Sequence, residues 1–162
     1  MIGLWCILVG LAFAVVVIYF LRQPVKKVAR EARFAQARKG FHRQREWLEA
    51  KLLHLAMVNA RPDAPRWNDC EFDDAISYVR HRKTGELSAF VAVTVALEGI
   101  GQRATTGAEL IGNLRAGTAV FRFDKDHWET DGRVILNLTP REAVRFYQGD
   151  LEIVGQELVA DD

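Results

Sequence analysis

From Met1 to Leu21 the chain carries no charged side chain, and so long an apolar run leaves few ways to fold. As a helix rising about 1.5 Å per residue it would reach roughly 31 Å, close to the thickness of a bilayer's hydrocarbon core. Trp5 and Tyr19 stand near its two ends, where aromatic rings favour the membrane interface. Immediately after it come Arg22, Lys26, Lys27, Arg30, Arg33, Arg38, Lys39, Arg43 and Arg45 against the single acid Glu31. The junction predicts a transmembrane helix over 1–21. A cleaved secretory signal would carry positive charge before a shorter apolar core, and small residues at a cleavage site. Only the α-amino group precedes this run, and Arg22-Gln23-Pro24 follows it, so the segment reads as a signal anchor that is kept.

Orientation follows from the same charges, because basic residues close to a membrane helix tend to stay in the cytoplasm. The expectation is a single-pass inner-membrane protein, N-terminus out and soluble domain cytoplasmic. Trp5, Tyr19, Arg22, Lys26, Lys27, Arg30 and Arg33 would form the flanks of the anchor. Residues 22–45 hold nine basic and one acidic residue, a balance of +8, whereas 46–162 hold the remaining 13 basic and 20 acidic residues, a balance of −7. A basic collar beneath a membrane helix is drawn to anionic lipid headgroups. Topology already accounts for these charges, and the distal part is acidic, so nucleic acid is not expected as a partner. Cys6 lies in the apolar run and Cys70 alone in the soluble part, which fits a reducing compartment better than a disulfide framework.

The domain plan is therefore a membrane helix over 1–21, a basic stalk over 22–45 and a small domain over 46–162. Residues 25–59 read as a helix in which Phe34, Phe41, Leu48 and Leu55 recur every seven residues and Leu52 joins the stripe. Gly40 marks a soft point, since glycine costs about 1 kcal/mol relative to alanine in a helix interior. The half carrying Trp47, Leu48, Leu52 and Leu55 is expected to pack on the following domain. Homo-oligomerisation through the stalk is the weaker alternative, because Ala37, Gln44 and Lys51 occupy the companion heptad positions. Pro62 and Pro65 then end the helix.

Beyond them the period changes from helical to alternating. Ile76 to His81, the turn-like Lys83-Thr84-Gly85-Glu86 and Leu87 to Leu97 predict a β-hairpin. On its second strand Leu87, Ala89, Val91, Val93, Val95 and Leu97 share one face. Five glycines between Gly99 and Gly117 break any period, although Ala108 to Leu114 suits a short helix or strand. Thr118 to Asp124, a loop over Asp124 to Gly132 and Val134 to Leu138 predict a second hairpin. Thr139-Pro140-Arg141-Glu142 is a helix start, with a capping threonine, proline in the first turn and glutamate three residues on. That helix should stop at Gly149, and Leu151, Ile153 and Leu158 suggest a last edge strand before a polar tail. The fold class is α+β, an antiparallel sheet of two hairpins covered by helices.

No residue is assigned a catalytic, cofactor-binding or metal-ligating role. Asp124-Lys125-Asp126-His127-Trp128-Glu129-Thr130-Asp131-Gly132 resembles a calcium loop only in its carboxylates; its spacing lacks the required glycine, and a solvated hairpin loop explains it better. Cys70 sits among Asp69, Glu71, Asp73 and Asp74, which would oppose rather than stabilise a thiolate. A triad of Cys70, His81 and an aspartate has no supporting spacing, and His42, His54, His81 and His127 include no pair at zinc-ligand spacing. Asn137-Leu138-Thr139 matches a glycosylation acceptor, but a cytoplasmic domain would leave it silent. Arg80-His81-Arg82-Lys83 at the hairpin tip is the candidate partner surface. The expected function is a protein-interaction or scaffolding module at the membrane, with no enzymatic activity assigned. The alternative is a small-ligand-binding or hydrolytic domain similar to cystatin-type or nuclear-transport-factor-type folds, with Tyr78, Phe90, Phe121, Phe123 and Trp128 lining an apolar pocket.

Overall fold

A computed structural model describes residues 2–60, 67–97 and 114–157, with the backbone alone for 2–27, 29 and 68. One helix, α1, runs over Ile2–Val58. The chain divides into two compact units, Met1–Lys39 and Gly40–Asp162.

In the first unit Arg30, Glu31, Arg33, Arg38 and Lys39 are exposed, whereas Ala37 is buried. The Arg38 guanidinium lies 5.9 Å from the centre of the Phe34 ring. Among the described residues no helix is long and apolar enough to cross a membrane. The side chains of the apolar run over 1–21 lie outside the described residues, as do those of Arg22, Lys26 and Lys27.

The second unit begins with the last five turns of α1. The backbone is helical at Gly40, the expected soft point, where the second unit begins, and α1 ends at Val58, just before the Asn59 to Pro65 stretch. A methyl group on Gly40 would lie 3.7 Å from Trp128 Cδ1, an ordinary contact, so space does not require glycine there. Phe41, Leu48 and Leu52 are wholly buried, as the apolar stripe predicts. Trp47 is not: it remains 58% exposed. At 3.6 residues per turn it points about 100° away from Leu48, outside the narrow arc that meets the sheet.

Six strands follow: β1 Trp67–His81, β2 Leu87–Leu97, β3 Leu114–Asp124, β4 His127–Glu129, β5 Val134–Leu136 and, after helix α2 over Pro140–Phe146, β6 Leu151–Glu157. They form one sheet in the order β4-β3-β2-β1-β6, and β5 also pairs with β3. All the pairings are antiparallel. The β1–β2 hairpin is as expected, but β1 starts nine residues before Ile76, at Trp67. Its polar first half is held by pairing with Val93 to Leu97 and interrupted by a bulge between Phe72 and Ile76. Arg45 fixes that bulge, donating through Nη1 and Nη2 to the carbonyls of Asp74 and Asp73. The segment expected as a loop over Asp124 to Gly132 contains β4, and Trp128 on that strand is only 2% exposed. The Ala108 to Leu114 segment lies outside the described residues except for Leu114, where β3 begins.

Alternation along each strand divides the sheet into two faces. The α1 face holds Ile76, Tyr78, Ala89, Val91, Val93, Val95, Ala119 and Phe121, all buried. At its centre the Phe41 ring meets Trp128, Phe121 and Tyr78 edge-on, with centroids 4.9, 5.4 and 6.1 Å away. The opposite face is covered at one end by α2, where Ala143 and Val144 pack on Val79, Phe90 and Val120. The α2 start is the capping box read from Thr139 to Glu142. Glu142 N donates to Thr139 Oγ1, and Thr139 N donates to Glu142 Oε2 at 2.9 Å. Among the described residues the last strand, β6, pairs with Ile76 to His81 of β1.

Candidate functional site

The hairpin tip expected as a partner surface is assembled from three parts of the chain. His81 ends β1, and the turn that follows is closed by Gly85 N donating to His81 O at 2.8 Å and His81 N donating to Glu86 O at 2.9 Å. Gly85 has φ +76°, a left-handed conformation that glycine adopts at little cost. Across from the tip lies the α2–β6 connection. Arg82 N donates to Asp150 O at 2.7 Å, and Arg82 Nε reaches the carbonyls of Leu151 and Gln148 at 3.2 and 3.4 Å. Lys83 Nζ stands 3.3 Å from Asp150 Oδ1, and Glu152 takes both Arg82 at 3.5 Å and Arg80 at 4.0 Å.

These contacts make the four basic residues part of a connected corner. Arg80 is largely buried, whereas Arg82 and Lys83 keep much of their surface in solvent. Exposed ion pairs of this kind contribute about 0–1 kcal/mol each, so their role is to position the tip more than to hold the fold. The end of α2 joins the same corner. Phe146 is 72% exposed and meets the Tyr147 ring edge-on at 5.0 Å. Ile153 on β6 is also exposed. Asp150, Glu152, Phe146 and Tyr147 were not legible as neighbours of Arg82, since some 65 residues separate them in sequence. The α2 stop near Gly149 was the only signal that a turn lay there.

The other candidate groups do not converge. Cys70 and His81 lie eleven residues apart on one extended strand, about 35 Å at 3.3 Å per residue, so no triad forms from them. Cys70 is half-buried on the α1 face opposite Val95. Burial, then the charges of Asp69 and Glu49, push its thiol up to about 12. The thiolate, which does the chemistry of cysteine, is suppressed there. Among the described residues no three His, Cys, Asp or Glu side chains are placed to hold a metal ion.

The residues expected to line an apolar pocket divide between the two faces of the sheet, Phe90 under α2 and Tyr78, Phe121 and Trp128 against Phe41. Tyr78, Phe90, Phe121 and Trp128 are buried side chains of the packed core, and Phe123 lies 5.2 Å from Trp128 ring to ring. An open concavity of about 370 Å³ lies instead beside the bulge, bordered by Glu71, Asp73, Asp74, Thr94, Ala116 and Thr139. Asp74 is paired there with Arg45 at 3.4 Å. Of the residues expected to flank the anchor, Arg30 and Arg33 are exposed on α1, and the side chains of Trp5, Tyr19, Arg22, Lys26 and Lys27 lie outside the described residues.

What the geometry defines is an α+β domain with a closed core and a basic and aromatic corner. No family model, curated protein or solved structure matches the chain.

Proposed function

We propose that this chain is a single-pass membrane protein, N-terminus out, whose cytoplasmic α+β domain is a protein-interaction or scaffolding module. The observation that carries the reading is the corner itself. Arg82 and Lys83 stand on a hairpin tip bonded to the Gln148 to Leu151 connection, which directly follows the exposed Phe146 and Tyr147. Exposed aromatic residues next to arginine are the side chains that dominate binding energy at protein interfaces. The packed aromatic core supports an interaction role over a cavity beneath the helix. Among the described residues, the open groove beside the β1 bulge favours the small-ligand alternative.

The membrane part rests on the uncharged run over 1–21 and the basic stretch that follows it. Lipid headgroups of the anionic leaflet are the partners of that stretch. Two experiments test the proposal. A reporter fused after Asp162 is expected to report the cytoplasm, and a signal from the opposite side would overturn the orientation. Purification of the full chain in mild detergent is expected to bring down a stoichiometric protein that is lost from an Arg82→Glu, Lys83→Glu double variant. Recovery of a lone monomer under several conditions would count against an interaction role.

A further inference from the structure

His81 has a second job in the tip. Its Nδ1 accepts two backbone N–H groups, from Lys83 at 3.3 Å and from Thr84 at 3.2 Å. A ring nitrogen that accepts hydrogen bonds carries no proton, so this geometry requires the neutral imidazole with its hydrogen on Nε2. The side chain therefore acts as an asparagine does at the start of a turn, folding the next two residues back onto itself.

Charged groups surround it on every side. Its own strand and turn supply Arg80, Arg82 and Lys83. The end of the turn, just before β2, supplies Glu86, whose carboxylate already accepts the Thr84 hydroxyl at 2.8 Å. Across the sheet Leu151 stands opposite in register, with Asp150 and Glu152 on either side of it. Those two carboxylates are already shared among Arg80, Arg82 and Lys83.

We infer that the basic tip is a pH-sensitive element, ordered while His81 is neutral and released when the imidazole takes a second proton. Protonation turns Nδ1 from acceptor to donor. The Lys83 and Thr84 amides then face a donor instead of an acceptor, and a fourth cation joins three. Glu86 and the backbone bonds at Gly85 and His81 do not depend on that proton. The hairpin survives, as do the bonds of Arg82 to Asp150, Leu151 and Gln148, and only the arrangement of Lys83 and Thr84 changes. This inference rests on the tip being the partner surface, because only then does its order regulate binding.

The test uses the full chain in detergent micelles, labelled with ¹⁵N and followed by NMR from pH 7.5 to 5.0. The expected result at pH 7.5 is an unprotonated His81 Nδ1. On acidification its shift and those of the Lys83 and Thr84 amides should move with one midpoint. Protection of those two amides should fall about three- to tenfold, as expected for loss of one hydrogen bond each. The His81→Asn variant supplies an oxygen that accepts the same bonds and does not titrate. Its Lys83 and Thr84 amides should stay protected across the range. Amides that ignore the imidazole titration in the unmodified chain would overturn the inference, as would an equal response in His81→Asn. The readout needs no partner, so its outcome is independent of the co-purification result.

Discussion

Gly132 offers the sharpest test of how the core is closed. It has φ +79°, and a methyl group there would sit 2.7 Å from Leu55 Cβ, 2.9 Å from Ala56 N and 3.0 Å from Leu55 C. Two costs should add in Gly132→Ala. The left-handed backbone costs an L-residue about 1–2 kcal/mol. Driving a methyl into helix backbone, which has no rotamer to move, costs about 1–3 kcal/mol more. The sum is about 2–5 kcal/mol. Gly85 separates the two effects, since it has φ +76° and nothing within 4 Å of an added methyl. Gly85→Ala should lose only the conformational part, about 1 kcal/mol once the stiffer unfolded chain is counted. Gly40→Ala should move in the opposite direction, gaining up to about 1 kcal/mol from helix propensity because its methyl meets Trp128 at ordinary contact distance. Urea unfolding of the full chain in detergent, followed by far-ultraviolet circular dichroism and by tryptophan fluorescence, would rank the three. If Gly132→Ala were no worse than Gly85→Ala, the 130–133 loop would not be seated on the last turn of α1, and the packing argument would fail.

Two further outcomes concern ionisable groups. Cys70, with its thiol held far above neutrality by burial and by Asp69 and Glu49, should be alkylated by iodoacetamide much more slowly than an unfolded control at pH 8. Equal rates would contradict its placement. The Glu142 carboxyl is held below the ordinary range by the Thr139 backbone and then by its hydroxyl. A carboxyl depressed in the folded state stabilises above its unfolded pKa, and that contribution is lost as pH falls through the folded one. Fraying of α2, read from its amide shifts, should therefore appear on acidification below the usual carboxylate range. Glu142→Gln should show no such step.

Where local chemistry and packing agree, the residues announce their structure. Leu87 to Leu97 alternates without fault between a turn and a glycine-rich stretch, and β2 has those bounds. The Thr139 to Glu142 pattern states its own hydrogen bonds, which are made. The first half of β1 was hidden because Asn68, Asp69, Glu71, Asp73 and Asp74 are poor strand formers. They are extended because β2 and Arg45 hold them. β4 was hidden by its length, three residues among turn formers, with only Trp128 to mark it. Trp47 was assigned to the core because its neighbours belong there, and one position on a helix is enough to turn a side chain away. The tip was legible as a cluster of charge, but not its tie to Asp150 and Glu152, since pairing across some 70 residues leaves no local trace.

The acidic first half of β1 has a consequence for how the chain behaves in a crowd. From Trp67 to Phe72 one edge of β1 pairs with β2, and the other edge is the one that β6 joins at Ile76 to His81. An open strand edge invites the strands of other molecules, and proteins blunt such edges with charge and with irregular backbone. Here Asp69, Glu71, Asp73 and Asp74 crowd the edge, and the bulge pinned by Arg45 bends it. The acidic run around Cys70 works as a fence. Its repulsion disfavours the zipping together of sheets from neighbouring copies.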